Sequence, residues 1–100
     1  MSINSYPKIQ TQTECKNNFT LQYMALGLGG EVGEVLNEIK KLERDDNNTL
    51  TLSRKNKIIT EMGDMMWYFQ GICNRLDCSV EDIMQMNINK IHSKINTNTK

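Results

Sequence analysis

Two pairs of acids stand out by their spacing. Glu31 and Glu34 lie in "EVGE", Glu61 and Asp64 in "EMGD", and both pairs sit inside otherwise apolar runs. Residues three apart project from one side of a helix, so each pair can present two carboxylates in one direction. Carboxylates that converge cannot all stay ionised without a counter-charge, and a divalent cation supplies one. Oxygen donors with no His or Cys nearby select magnesium, manganese or calcium over zinc. A site that keeps water in its shell suits Mg2+, with Mn2+ as a substitute, carrying the phosphates of a substrate.

Whether the two pairs meet depends on the elements that carry them. Leu21, Met24, Leu28, Val32, Val35, Ile39 and Leu42 recur at steps of three and four, which predicts a helix from Thr20 to about Arg44. "RDDNNT" breaks it. A second helix, capped by Ser53, carries Ile58, Ile59, Met62, Met65, Met66, Phe69, Ile72, Cys73 and Leu76 until "LDCS". Ser79 and Asp82 form a capping-box-like start for a last helix with a Val80, Met84, Ile88, Ile91 and Ile95 stripe. "PKIQTQTEC" has room for one short N-terminal helix starting at Pro7, and the tail "NTNTK" is expected to fray. No strand pattern occurs. The expected fold is all-α: one domain over residues 1–100, an antiparallel helix bundle of two long central helices, a C-terminal helix and a short N-terminal helix.

Chain length then brings the acids level. From Glu34 the chain climbs about ten residues, turns, and descends about eight to Glu61, so at about 1.5 Å per residue the two legs nearly match. Rotation agrees with height. At about 100° per residue, Glu31, Glu34, Glu38 and Lys41 fall within roughly 80°, and Lys57, Glu61, Asp64 and Tyr68 do the same on the partner helix. Four or five carboxylates would share one groove. Gly27, Gly29, Gly30, Gly33 and Gly63 lie among them, each costing a helix roughly 0.8 to 1 kcal/mol against alanine, which predicts close helix approach or room for a ligand. They do not form a dinucleotide fingerprint, because Val32 stands where the third glycine would be.

The last helix offers opposite charge, with Asn87, Lys90 and Lys94 on one face as candidate phosphate contacts. Its plainer reading is a solvated basic end that complements the helix dipole. Plain readings exist elsewhere too. An isolated E-x-x-E is usually a solvated face, and Met62, Met65, Met66 and Trp67 read as core or subunit contacts. Tyr68 shares the acidic face, where it either stacks on a base or buries its ring. His92 is expected in solvent.

Composition excludes several classes. Twelve basic and twelve acidic residues cancel, so there is no global electrostatic case for a nucleic-acid polymer or an acidic membrane surface. No apolar run approaches the ~18 residues of a membrane span, and "MSINSYPKIQ" is not a secretion signal, so a cytoplasmic protein is expected. Cys15, Cys73 and Cys78 are odd in number and lack C-x-x-C spacing, which encodes neither a disulfide framework nor a zinc site and leaves ordinary reduced thiols.

"GLGGEVGEVLNEIKK" followed by "ITEMGDMMWYFQGICNRLDCSVEDIMQMNINKI" resembles the MazG-type all-α nucleoside triphosphate pyrophosphohydrolases, especially their short single-domain phage and bacterial members. The resemblance runs from about Tyr23 to Lys94. The family's E-x-x-E and E-x-x-D fall on Glu31, Glu34, Glu61 and Asp64, and its later N-x-x-K-x-x-x-R falls on Asn87 and Lys90, with Lys94 where arginine is usual. Lysine offers a point charge in place of a bidentate grip. The resemblance implies magnesium-dependent hydrolysis of a (deoxy)nucleoside triphosphate to the monophosphate and pyrophosphate, with Glu31, Glu34, Glu61 and Asp64 holding metal. Glu34 or Glu38 would accept the proton, and Lys41, Lys57, Tyr68, Asn87, Lys90 and Lys94 would contact substrate. It also implies a homodimer or homotetramer with sites between helices of neighbouring chains. Two alternatives stand beside it: a non-catalytic metal-binding helical oligomer or interaction module, and a phosphoribosyl-ATP pyrophosphohydrolase, whose usual extra glutamate before the first motif is Gly30 here.

Overall fold

Three hydroxyl caps set where the longer helices begin. Thr20 accepts from the Tyr23 amide at 3.0 Å, Thr51 from Arg54 at 3.1 Å and Ser79 from Asp82 at 3.0 Å, each satisfying a donor that the helix itself leaves free. The computed structural model describes residues 1–98 and contains α1 (Tyr6–Thr13), α2 (Leu21–Asp45), α3 (Leu52–Arg75) and α4 (Val80–Asn98). No strand occurs among the described residues. The all-α expectation holds, with two local corrections. Thr51, not Ser53, caps α3, so the helix starts two residues earlier and Ser53 lies inside its first turn. The C-terminal tail expected to fray is helical through Asn98, while Thr99 and Lys100 fall outside the described residues.

α2 and α3 form an antiparallel hairpin. Its turn uses Asn47 and Asn48 at φ 58° and 59°, a left-handed conformation that asparagine tolerates because its short side chain bonds locally. From the turn, contacts run down the pair in matched order: Arg54 meets Glu38, Glu61 and Asp64 meet Glu31, Tyr68 lies on Gly27, and Met24 lies on Gly71. Each pairing fixes the register of the next.

α1 lies across the far end of α3, held mainly by polar bonds. The Asn74 amide donates to the Pro7 carbonyl, Gln10 Oε1 and Thr11 Oγ1 at 3.0 to 3.1 Å, and the Trp67 indole donates to Thr13 at 2.8 Å. Arg75 grips Glu14 with both terminal nitrogens, at 2.6 and 3.0 Å, and donates through Nε to the Phe19 carbonyl. The short N-terminal helix is therefore tied to the hairpin at both ends.

The apolar core is small. Among the described residues, Met24 and Cys73 are the fully buried hydrophobic side chains, while Ile59, Met62 and Met66 on α3 and Met84, Ile88, Ile91 and Ile95 on α4 stay exposed. α4 leaves the corner at Val80 without packing along another helix. The radius of gyration is accordingly 17.0 Å, against about 13 Å for a compact chain of this length.

The cap assignment yields a direct prediction. Thr51→Ala should lower stability by about 1 kcal/mol in urea unfolding, whereas Ser53→Ala should change it by less than about 0.5. Equal losses in both would contradict the observed start of α3.

Candidate functional site

Hairpin register brings three carboxylates together. Glu31 from α2 and Glu61 and Asp64 from α3 each offer an oxygen, and the three oxygens lie within 4.8 Å of one another. Glu31 and Glu61 are half-buried and Asp64 is exposed. Partial burial, and then the charges of Asp64, Glu61 and Glu34, push the Glu31 carboxyl above the usual carboxylate range. The neighbouring carboxylates thus add to burial in disfavouring the ionised form of Glu31, and the donor set, all carboxylate oxygen, fits a hard divalent cation.

Glu34 is one turn further along α2. It is exposed, makes no ion pair among the described residues, and stands beside the trio without joining it. Glu38 is differently placed. Arg54 Nη1 reaches it at 2.6 Å and Lys41 at 3.2 Å, and the guanidinium above all holds its carboxyl below the usual range. Arg54 is also bound to Asp46, by Nε at 2.7 Å, so one buried guanidinium ties the end of α2 to the start of α3. Of the lysines expected at phosphate, Lys41 is engaged with Glu38, and Lys57 is exposed on an open cleft lined by Glu38, Asn56, Thr60 and Glu61. Asn87, Lys90 and Lys94 are exposed on α4, which does not pack against the hairpin, so a single chain does not bring them to the carboxylates.

Tyr68 lies beside the site, within the field of Glu31 and Asp64. Its ring occupies the space where a Cβ on residue 27 would be, so Gly27 is required for this approach. Burial, then Tyr23 and Glu31, push its phenol upward. The ring also meets Trp67 edge-on, with centroids 5.0 Å apart. Gly29, Gly30, Gly33 and Gly63 behave otherwise: a Cβ on any of them would meet open space, so within one chain they mark no close helix contact.

Sequence reasoning passed over Arg54, Tyr6 and Gly71. Arg54 carried a usable signal, since a cation in the first turn of a helix opposes the dipole and needs acids from elsewhere. Tyr6 feels the charge of Asp64, which after burial pushes its phenol upward, and nothing in its local sequence announces that. Gly71 lies under Met24 and Gln10, a contact made only by tertiary packing.

Comparison with known proteins agrees with the geometry. The sequence model of the MazG nucleotide pyrophosphohydrolase domain matches residues 19–97, a span that includes all the clustered acids and leaves α1 outside. The chain is 36% identical over 81 residues to the Gene 37 protein of Mycobacterium phage L5, covering 81% of this chain and 71% of that protein. No solved structure matches it.

The opposed shifts at Glu31 and Glu38 predict a pH signature. Glu31 is raised above its ordinary 4.5, so its stabilising contribution is present when it is protonated and is lost as pH rises through its folded value. Glu14 and Glu38 are lowered, so theirs is present above 4.5 and is lost as pH falls through their folded values. In chelator, the melting temperature should rise on acidification from neutrality toward 4.5 and fall below it. Glu31→Gln should flatten the rise and leave the acid limb; an unchanged profile in that variant would count against the cluster.

Proposed function

Because the chain belongs to the MazG nucleotide pyrophosphohydrolase domain family, we propose that it hydrolyses a (deoxy)nucleoside triphosphate to the monophosphate and pyrophosphate in a Mg2+-dependent reaction, the whole chain acting as one catalytic domain. The observation that carries this reading is the level set of Glu31, Glu61 and Asp64 with its excess negative charge. These three, with Glu34 beside them, would hold Mg2+ or Mn2+, which when bound supplies charge neutralisation for the triphosphate and acidifies water.

The chain's own groups divide the remaining work. Glu34 accepts the proton from the attacking water; Glu38 is the weaker choice, because Arg54 and Lys41 engage it and reduce its proton affinity. Lys57 lines the cleft beside Glu61 and would meet phosphate oxygens. Tyr68, seated on Gly27 and beside Glu31, would contact the substrate. In-line displacement of pyrophosphate needs little more from the protein than this positioning and charge.

A second copy supplies what one chain lacks. The α2/α3 hairpin carries an apolar groove lined by Leu28, Val32, Met65, Met66 and Phe69 and met at one end by Val80, and beyond Val80 the α4 stripe of Met84, Ile88, Ile91 and Ile95 is exposed. Burying one against the other in a homodimer or homotetramer hides both and directs Asn87, Lys90 and Lys94 toward a neighbouring acidic cluster.

Two measurements test the reading. Incubation with Mg2+ and a panel of ribo- and deoxyribonucleoside triphosphates should yield monophosphate and pyrophosphate, and Glu61→Gln should lower turnover by at least about 100-fold with helicity unchanged. Diphosphate plus phosphate, or full activity in the variant, would remove it. Light scattering at micromolar concentration should give a dimer or larger species, and a monomer mass would refute the shared assembly.

A further inference from the structure

The corner between α3 and α4 is closed by a helix-ending motif that sets two cysteines side by side. Asp77 takes φ 51°, the Cys78 amide donates to the Cys73 carbonyl at 3.1 Å, and the Asp77 amide donates to Asn74 at 3.4 Å. In this arrangement the side chains three from the helix end and two beyond its cap come into contact. Here those side chains are Cys73 and Cys78. Cys73 is 1% exposed, whereas Cys78 is partly open, and both line one cleft with Pro7, Gln70, Asn74 and Asp82. Cys15 is apart from them, exposed beyond the end of α1 with its thiol toward the Thr13 carbonyl.

We propose that Cys73 and Cys78 are a reversible modification site, a dithiol that a low-molecular-weight disulfide converts to an intrachain disulfide across the α3–α4 corner. Cys78, reached through the cleft, attacks one sulfur of the reagent; a mixed disulfide forms and the first reagent thiol leaves. Cys73 then attacks the Cys78 sulfur, the protein disulfide forms and the second reagent thiol leaves. Two protein thiols are oxidised, one reagent disulfide is reduced to two thiols, and the two protein protons pass to those thiols. Burial, with Cys78 beside it, pushes the Cys73 thiol upward, and the more open Cys78 is the first to meet the reagent. The bond spans the left-handed turn at Asp77 and so fixes the direction in which α4 departs.

Glutathione disulfide is the probe. Arg75 lies between the two cysteines, so a Cys73–Cys78 bond holds two tryptic peptides together until reductant separates them. Full-length protein treated with glutathione disulfide and then alkylated should show this linked pair, reversible by dithiothreitol. Cys15→Ser should lose both remaining alkylatable thiols without retaining glutathione. Adding Cys73→Ser to that background should trap glutathione on Cys78, because no resolving thiol remains. The assignment is overturned if Cys15→Ser keeps two free thiols, if glutathione stays on Cys78 while Cys73 is still present, or if the link joins two chains.

Discussion

The rest of the molecule depends on holding two antiparallel helices in register against their own charge. The oxygens of Glu31, Glu61 and Asp64 lie within 4.8 Å of one another, and two like charges about 4 Å apart cost between about 1 kcal/mol in water and about 4 at a protein-surface dielectric. Other contacts along the hairpin must offset this. At the turn, Arg54 bridges Glu38 and Asp46; further down, Tyr68 wedges onto Gly27 and Met24 beds on Gly71. A slip of one residue would rotate Glu61 and Asp64 by about 100° away from Glu31 and remove Arg54 from its acids at the same time. The pins at either end therefore preserve the crowded middle.

α1 belongs to the same arrangement although it lies before the region that matches the family. Its attachment is polar: the Asn74 amide, the Trp67 indole and the Arg75 guanidinium each find acceptors on residues 7–19. Hydrogen bonds to charged groups and to half-buried amides are directional, so they orient a short helix that has little apolar surface to offer. Through this seating Tyr6 comes within the field of Asp64. The segment thus supports the acidic helix from behind.

Charge and apolar surface are divided between different faces of the hairpin. The acids occupy one side, while an almost wholly apolar groove runs along Leu28, Val32, Met65 and Met66 on another. Among the described residues Met24 and Cys73 are the fully buried hydrophobic side chains, and α4 keeps Met84, Ile88, Ile91 and Ile95 in the open. No helix among the described residues is long and apolar enough to cross a membrane.

Helical period, caps and chain length were legible in the sequence because they are local or additive. Apolar steps of three and four marked α2, α3 and α4, Ser79 marked the start of α4, and equal legs around the turn set the pair Glu31 and Glu34 level with the pair Glu61 and Asp64, of which Glu31, Glu61 and Asp64 converge. The cap of α3 was misread by two residues because Thr51 and Ser53 carry equivalent hydroxyls, and only the backbone path decides which one meets a free amide. The tertiary structure decided which acids converge and which are neutralised. Glu38 shares a face with Glu31 by rotation, yet a guanidinium distant in sequence claims it, and Glu34 stays at the margin. It also decided the glycines: Gly27 and Gly71 receive a side chain from across the bundle, while four others with the same local cost receive none. Periodicity assigns a residue to a side of its own helix; what waits on that side is set by how two helices turn toward each other, and that follows from packing summed over the whole interface.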